Sequence, residues 1–186
     1  LQEHLDTLPL SPEGRGLWQL RCIAALRHTG QNTHALAMVN GLRQEAVRLE
    51  GRAGECVRGH VALLAARLSF NAAPHQASTQ LDFMGLLAQV DAAPSARLYW
   101  EWSNLYGLAL RRRIAAAMPS GSGIVDELVQ HGHAAFEAAY YWAAMAHDAY
   151  HQQAIASNYA YFLYWLTTQG RTGSTQSAIA WFQLAH

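Results

Sequence analysis

Apolar residues recur along this chain at three- and four-residue intervals, and strictly alternating runs do not occur. Valine and isoleucine are sparse, while alanine fills the interior of nearly every segment. Alanine, leucine, glutamine, glutamate and arginine lose least on entering a helix, so the local preference is helical throughout. The punctuation divides this pattern into about eight helices. Ser11-Pro12-Glu13 reads as a cap followed by proline at the first helical position, starting a helix that runs to a stop at Gly30. Further helices are predicted over 33–49, 53–70, 74–90, 95–117, 124–145 and 147–168, and from 175 to the end. One longer loop is expected over 118–123. The other breaks are short, which makes neighbouring helices antiparallel.

An internal match supports a series of helical hairpins. Ser103-Asn104-Leu105-Tyr106-Gly107-Leu108-Ala109-Leu110 aligns with Ser157-Asn158-Tyr159-Ala160-Tyr161-Phe162-Leu163-Tyr164, 54 residues later. Weaker echoes begin at Gly59-His60-Val61 and Arg21-Cys22-Ile23. All four fall in alternate helices, each followed by a turn and a second helix. The last unit reads Asn158-Tyr159-Ala160, a turn at Gly170, then Ala178-x3-Phe182-x2-Ala185. It resembles the tetratricopeptide repeat, in the long-repeat variety of bacterial regulators such as maltose-activator-like transcription factors and the sensory halves of diguanylate cyclases. Tyr106 occupies the small-residue position of the preceding unit, a departure from that pattern. The resemblance implies an all-α, right-handed stack of antiparallel hairpins, a single α-solenoid domain over 1–186. It also implies a regulatory or scaffolding role without enzymatic activity of its own.

Composition narrows the function classes. Thirteen basic residues balance thirteen acidic ones, which disfavours nucleic acid as a partner because phosphate neutralisation needs surplus cations. Hydrophobic residues reach 51% and charged ones only 14%, a balance suited to a packed core and not to disorder. No apolar run is long enough to span a membrane. Every basic residue is arginine, which removes lysine nucleophiles and Walker-type phosphate loops and points to GC-rich coding, hence a bacterial source. Cys22 and Cys56 sit in apolar contexts and read as buried thiols of a reducing cytoplasm. The N-terminal segment shows no signal-peptide pattern. The missing initiator Met and the ending within a helical pattern lead us to expect a fragment of a longer protein.

The sharpest metal-like string is His147-Asp148-Ala149-Tyr150-His151. Two histidines four apart on one helical face can share a metal, with a third ligand drawn from His131, His133 or Glu137. The string also resembles the histidine pair of DinB-related helical-bundle metalloenzymes. Its placement at a predicted helix start argues for a capping role instead. The main expectation therefore calls for no metal or other cofactor, with a metalloprotein using His147 and His151 as the alternative. A second alternative is a small-molecule sensor with a pocket between the fifth and seventh predicted helices, near Trp102.

Most aromatic residues lie from Tyr99 onward, more than one inward face can hold. Tyrosine and tryptophan favour wet interfaces, so the surplus is expected at a contact surface. If the first helices of the repeats line a groove, its inner positions include His60, Arg67, Asn104, Arg111, Asn158, Tyr161 and Trp165. Asparagine amides offer donor and acceptor to a peptide backbone, and arginine can take a carboxylate bidentately. Asn104 and Asn158 read equally well as a bond between neighbouring helices. The expected occupant is a protein or peptide, or a second copy of the chain.

Overall fold

A computed structural model describes residues 9–120, 123–171 and 175–185. Over these residues the protein is all-α, with nine helices and no strand. They are α1 Pro12–His28, α2 Asn32–Ala46, α3 Gly51–Ala72, α4 Pro74–Gln80, α5 Phe83–Ala92, α6 Ala96–Ala117, α7 Ile124–Met145, α8 Ala149–Thr168 and α9 Thr175–Leu184. The expected loop over 118–123 begins as a short 3-10 turn, Met118–Ser120, while residues 121 and 122 lie outside the described residues, as do 1–8, 172–174 and His186.

Local chemistry sets most helix ends. Ser11 accepts from Gly14 N at 3.1 Å and Ser95 from Leu98 N at 3.2 Å, each relieving an orphan donor of a first turn. Gly30 and Gly170 close α1 and α8 with positive φ of 78° and 67°. The N–H of the next residue then reaches back to the carbonyls of Leu26 and Leu166, at 2.9 and 3.0 Å.

One predicted element is corrected. The single helix expected over 74–90 is two, because Asp82 leaves the helical path and caps α5, its carboxylate accepting from Gly85 N at 2.9 Å. The two pieces also pack differently, α4 against α6 and α5 against α3.

The chain divides into two compact units, and the chain crosses between them at this break. The first comprises residues up to Ala73 together with Leu81–Pro94, so it holds α1, α2, α3 and α5. Its core joins Leu20 and Ile23 of α1 to Val39 and Leu42 of α2 and to Val57, Val61 and Leu68 of α3. The second comprises Pro74–Gln80 and everything from Ser95. There α6 packs on α7, α7 on α8, and α8 on α9. Its core centres on Ile114, Phe136, Phe162, Leu163 and Leu166, with a neighbouring cluster of Trp100, Ala139, Ala143 and Ile155. Two glycines allow the close helix approach: a Cβ on Gly107 would stand 3.0 Å from the Phe136 ring, and one on Gly132 would stand 2.7 Å from that of Phe162.

Among the described residues no helix is long and apolar enough to cross a membrane. Neither Cys22 nor Cys56 is in a disulfide.

Candidate functional site

The two segments of the internal sequence match, on α6 and α8, meet in the second unit. Asn158 Nδ2 donates to Asn104 Oδ1 at 3.1 Å, so the two asparagines aligned in the sequence bond to each other across the helices. Asn104 is 4% exposed, and its amide oxygen belongs to this bond. Two turns on, the Arg111 guanidinium lies over the Tyr161 ring, 4.9 Å from its centroid. Burial, then the Arg112 cation, pulls Arg111 below its ordinary value, while Tyr161 pushes it back up.

Beyond Tyr161 the outer face of α8 stays open. Tyr150, Tyr161 and Tyr164 are 68%, 50% and 49% exposed. They fall within one ~60° sector of the helix, since 11 and 14 residues are each close to whole turns. Ser157, half-buried, lies in the same sector. The result is a tyrosine stripe flanked by a stacked arginine, a surface that offers flat apolar faces, hydroxyls and one cation.

The other predicted groove residues are placed differently. Trp165 is half-buried against the second unit's core, its ring 6.4 Å from that of Phe162. His60 and Arg67 lie on α3, in the first unit, and both are half-buried. Trp102, the residue suggested for a small-molecule pocket, stacks on Tyr106 at 5.1 Å. It lies roughly 160° around α6 from Asn104, hence away from the α8 side.

The histidine string lies at the expected turn between two helices, with only the helix start shifted. The helix expected from 147 begins at Ala149, so His147 and His151 do not share a helical face. His147 instead terminates α7 in the left-handed region, with φ 53°, its N–H donating to Ala144 O at 3.0 Å. Asp148 N donates back to Ala143 O at 3.0 Å, completing the motif that glycine makes elsewhere in the chain. The Asp148 carboxylate then caps α8, accepting from His151 N at 3.1 Å and pairing with His151 Nδ1 at 2.7 Å. The His151 ring stacks on Trp100 at 4.4 Å. Among the described residues no group of three or more His, Cys, Asp or Glu is placed to hold a metal ion. Replacing His147 by glycine is expected to stabilise the protein by ~0.5–1 kcal/mol. Relief of the left-handed penalty, roughly 1–2 kcal/mol, exceeds the extra chain entropy of glycine, about 0.5–1 kcal/mol. A thermal melt checks this, and a lowered Tm would refute the reading of His147 as a strained turn residue.

Two residues weighed as metal ligands are engaged elsewhere. The Tyr159 hydroxyl donates to Glu137 Oε1 at 2.9 Å and lies 2.9 Å from His133 Nδ1. Its one proton goes to the carboxylate, so His133 donates from Nδ1. Burial first, and then the hydrogen bond and charge of Glu137, raise Tyr159 well above the ordinary tyrosine range. The phenol therefore stays neutral and acts as a structural bridge between α7 and α8. His133 is lowered by burial, with Glu137 pulling partly the other way. A lowered histidine binds its proton more readily in the unfolded chain, so folded-state stability falls as pH drops through about 6.5. The Tm should decline between about pH 7 and pH 5, and His133→Gln should flatten that slope; an unchanged slope would remove His133 as its source.

The sequence reading missed this bridge, although His133 and Glu137, four apart on α7, were a visible hint. No family model, no curated protein and no solved structure matches the chain.

Proposed function

We propose that this chain is a helical interaction module whose α6/α8 face binds an extended, acidic segment of a partner protein. The observation that carries this reading is the open stripe of Tyr150, Tyr161 and Tyr164 with Arg111 held over Tyr161. Tyrosine brings large contact area at low entropic cost, and tyrosine and arginine dominate the residues on which binding energy concentrates. The stacked guanidinium is preorganised to take a carboxylate, which gives the surface a charge preference. In the wider reading the module is the regulatory or scaffolding part of a bacterial protein, cytoplasmic, with its helices in series as in a tetratricopeptide-like array. The packing of successive helices within the second unit supports that reading.

A peptide library panned on the purified protein tests the proposal. It should enrich sequences containing aspartate or glutamate, and a selected peptide should bind Tyr161→Ala and Arg111→Ala at least ~10-fold more weakly, about 1.4 kcal/mol. No enrichment, or binding by both variants as tight as by the wild type, would overturn it.

A further inference from the structure

The first unit contains an open cleft of about 480 Å³, a size within the range that holds small ligands. Its floor is a stripe of α3: Val61, Ala62, Ala65 and Ala66, spaced so that they share one face of the helix. Along that face the lining runs from Arg58 to Ser69, roughly 16 Å of helix axis. These side chains are small and 1–9% exposed, so the cleft reaches the α3 surface only between its walls. Val47, from the end of α2, and Leu86 of α5 add apolar walls, and Val47 is 72% exposed.

Charge is concentrated on the α2 side of this cleft. Arg58 is fixed there because Nη1 donates to the Ala46 and Leu49 carbonyls, at 3.1 and 2.6 Å, satisfying the orphan acceptors at the end of α2. Those bonds leave Nε and Nη2 without a partner among the described residues. Arg43, one turn before Ala46, lines the same cleft, is exposed, and makes no hydrogen bond or ion pair with a described residue. The cleft's carboxylate, Asp82, accepts the Gly85 N–H that starts α5. The cleft thus holds two cations and one acid already engaged in a helix cap, beside an apolar lining.

We propose that this cleft binds a linear amphiphile with a single anionic head, held by Arg43 and Arg58, and an unbranched aliphatic tail laid along α3. The cations select the head group, and the small apolar residues of α3 with Val47 and Leu86 take the tail.

Calorimetric titration of the intact chain with dodecanoate, dodecyl phosphate, dodecanol and dodecyltrimethylammonium, each below its micellar concentration, tests the inference. Dodecanoate is expected to bind saturably, with dodecanol and the ammonium compound at least ~10-fold weaker. Dodecyl phosphate binding as well as dodecanoate supports recognition by charge, and weaker binding supports a carboxylate-sized head site. Arg43→Glu, a surface charge reversal that leaves the core untouched, should weaken dodecanoate at least ~10-fold. Ala62→Trp should block the cleft, with circular dichroism confirming helicity. Tyr161→Ala should bind dodecanoate as the wild type does, which separates this site from the α6/α8 face. Absence of dodecanoate binding, equal binding of anionic, neutral and cationic heads, or binding indifferent to Arg43→Glu would each overturn the proposal.

Discussion

Truncating Phe162 to alanine is expected to destabilise the protein by ~3–5 kcal/mol, the range for deleting a fully buried aromatic ring. For a chain of this length that corresponds to a fall in Tm of roughly 6–20 °C. Phe162 is completely buried, its ring 5.4 Å from those of both Phe136 and His133. The missing Cβ of Gly132 makes room for it, so ring and glycine form one packing unit between α7 and α8. Gly132→Ala in the wild-type background forces that ring to shift, an overpacking loss of ~1–3 kcal/mol that outweighs the ~1 kcal/mol gained by alanine in a helix. In the Phe162→Ala background the new methyl enters the cavity, so the double variant should be more stable than the sum of the singles predicts. Urea denaturation of the four proteins measures this. A loss below about 1 kcal/mol for Phe162→Ala would place the ring outside the core.

The second large effect belongs to the Asn104–Asn158 pair. Asn158→Leu removes the donor from Asn104 Oδ1 while leaving that amide buried, which should cost ~1–3 kcal/mol. Converting both residues to leucine removes the orphaned group, and most of the stability should return. The asymmetry arises because an unpaired buried polar group loses its hydration, whereas two apolar groups of similar volume lose nothing of that kind. Additive losses in the double variant would show that each amide has partners other than its counterpart. The same experiment bears on the interaction surface: with the amides bonded to each other, recognition falls to the residues outside them, Arg111 and the tyrosines.

The residue pattern determined the all-α class and nearly every helix boundary by itself. Both are decided within a few residues: alanine-rich runs favour the helix, Ser11 and Ser95 satisfy first-turn donors, and Gly30 and Gly170 accept the left-handed turn. The break before α5 and the turn at His147 were harder to read. Asp82 is a favoured cap residue, but it stands inside an otherwise helical pattern that masks the break, and its carboxylate accepts from Gly85 N to start α5. His147 carries only a weak turn signal, and the packing of α7 and α8 holds it in the left-handed region. Which side chains meet across helices lay further out of reach. The 54-residue echo of Ser103-Asn104 in Ser157-Asn158 was visible as letters, but that the two amides bond each other, and that Tyr161 comes to lie under Arg111, follows from the rotation of α8 about its axis as it packs. The same rotation leaves Tyr150 and Tyr164 open and turns Tyr159 inward. Helix formation is a matter of neighbours in sequence. Exposure is a matter of neighbours in space, and only the tertiary structure supplies those.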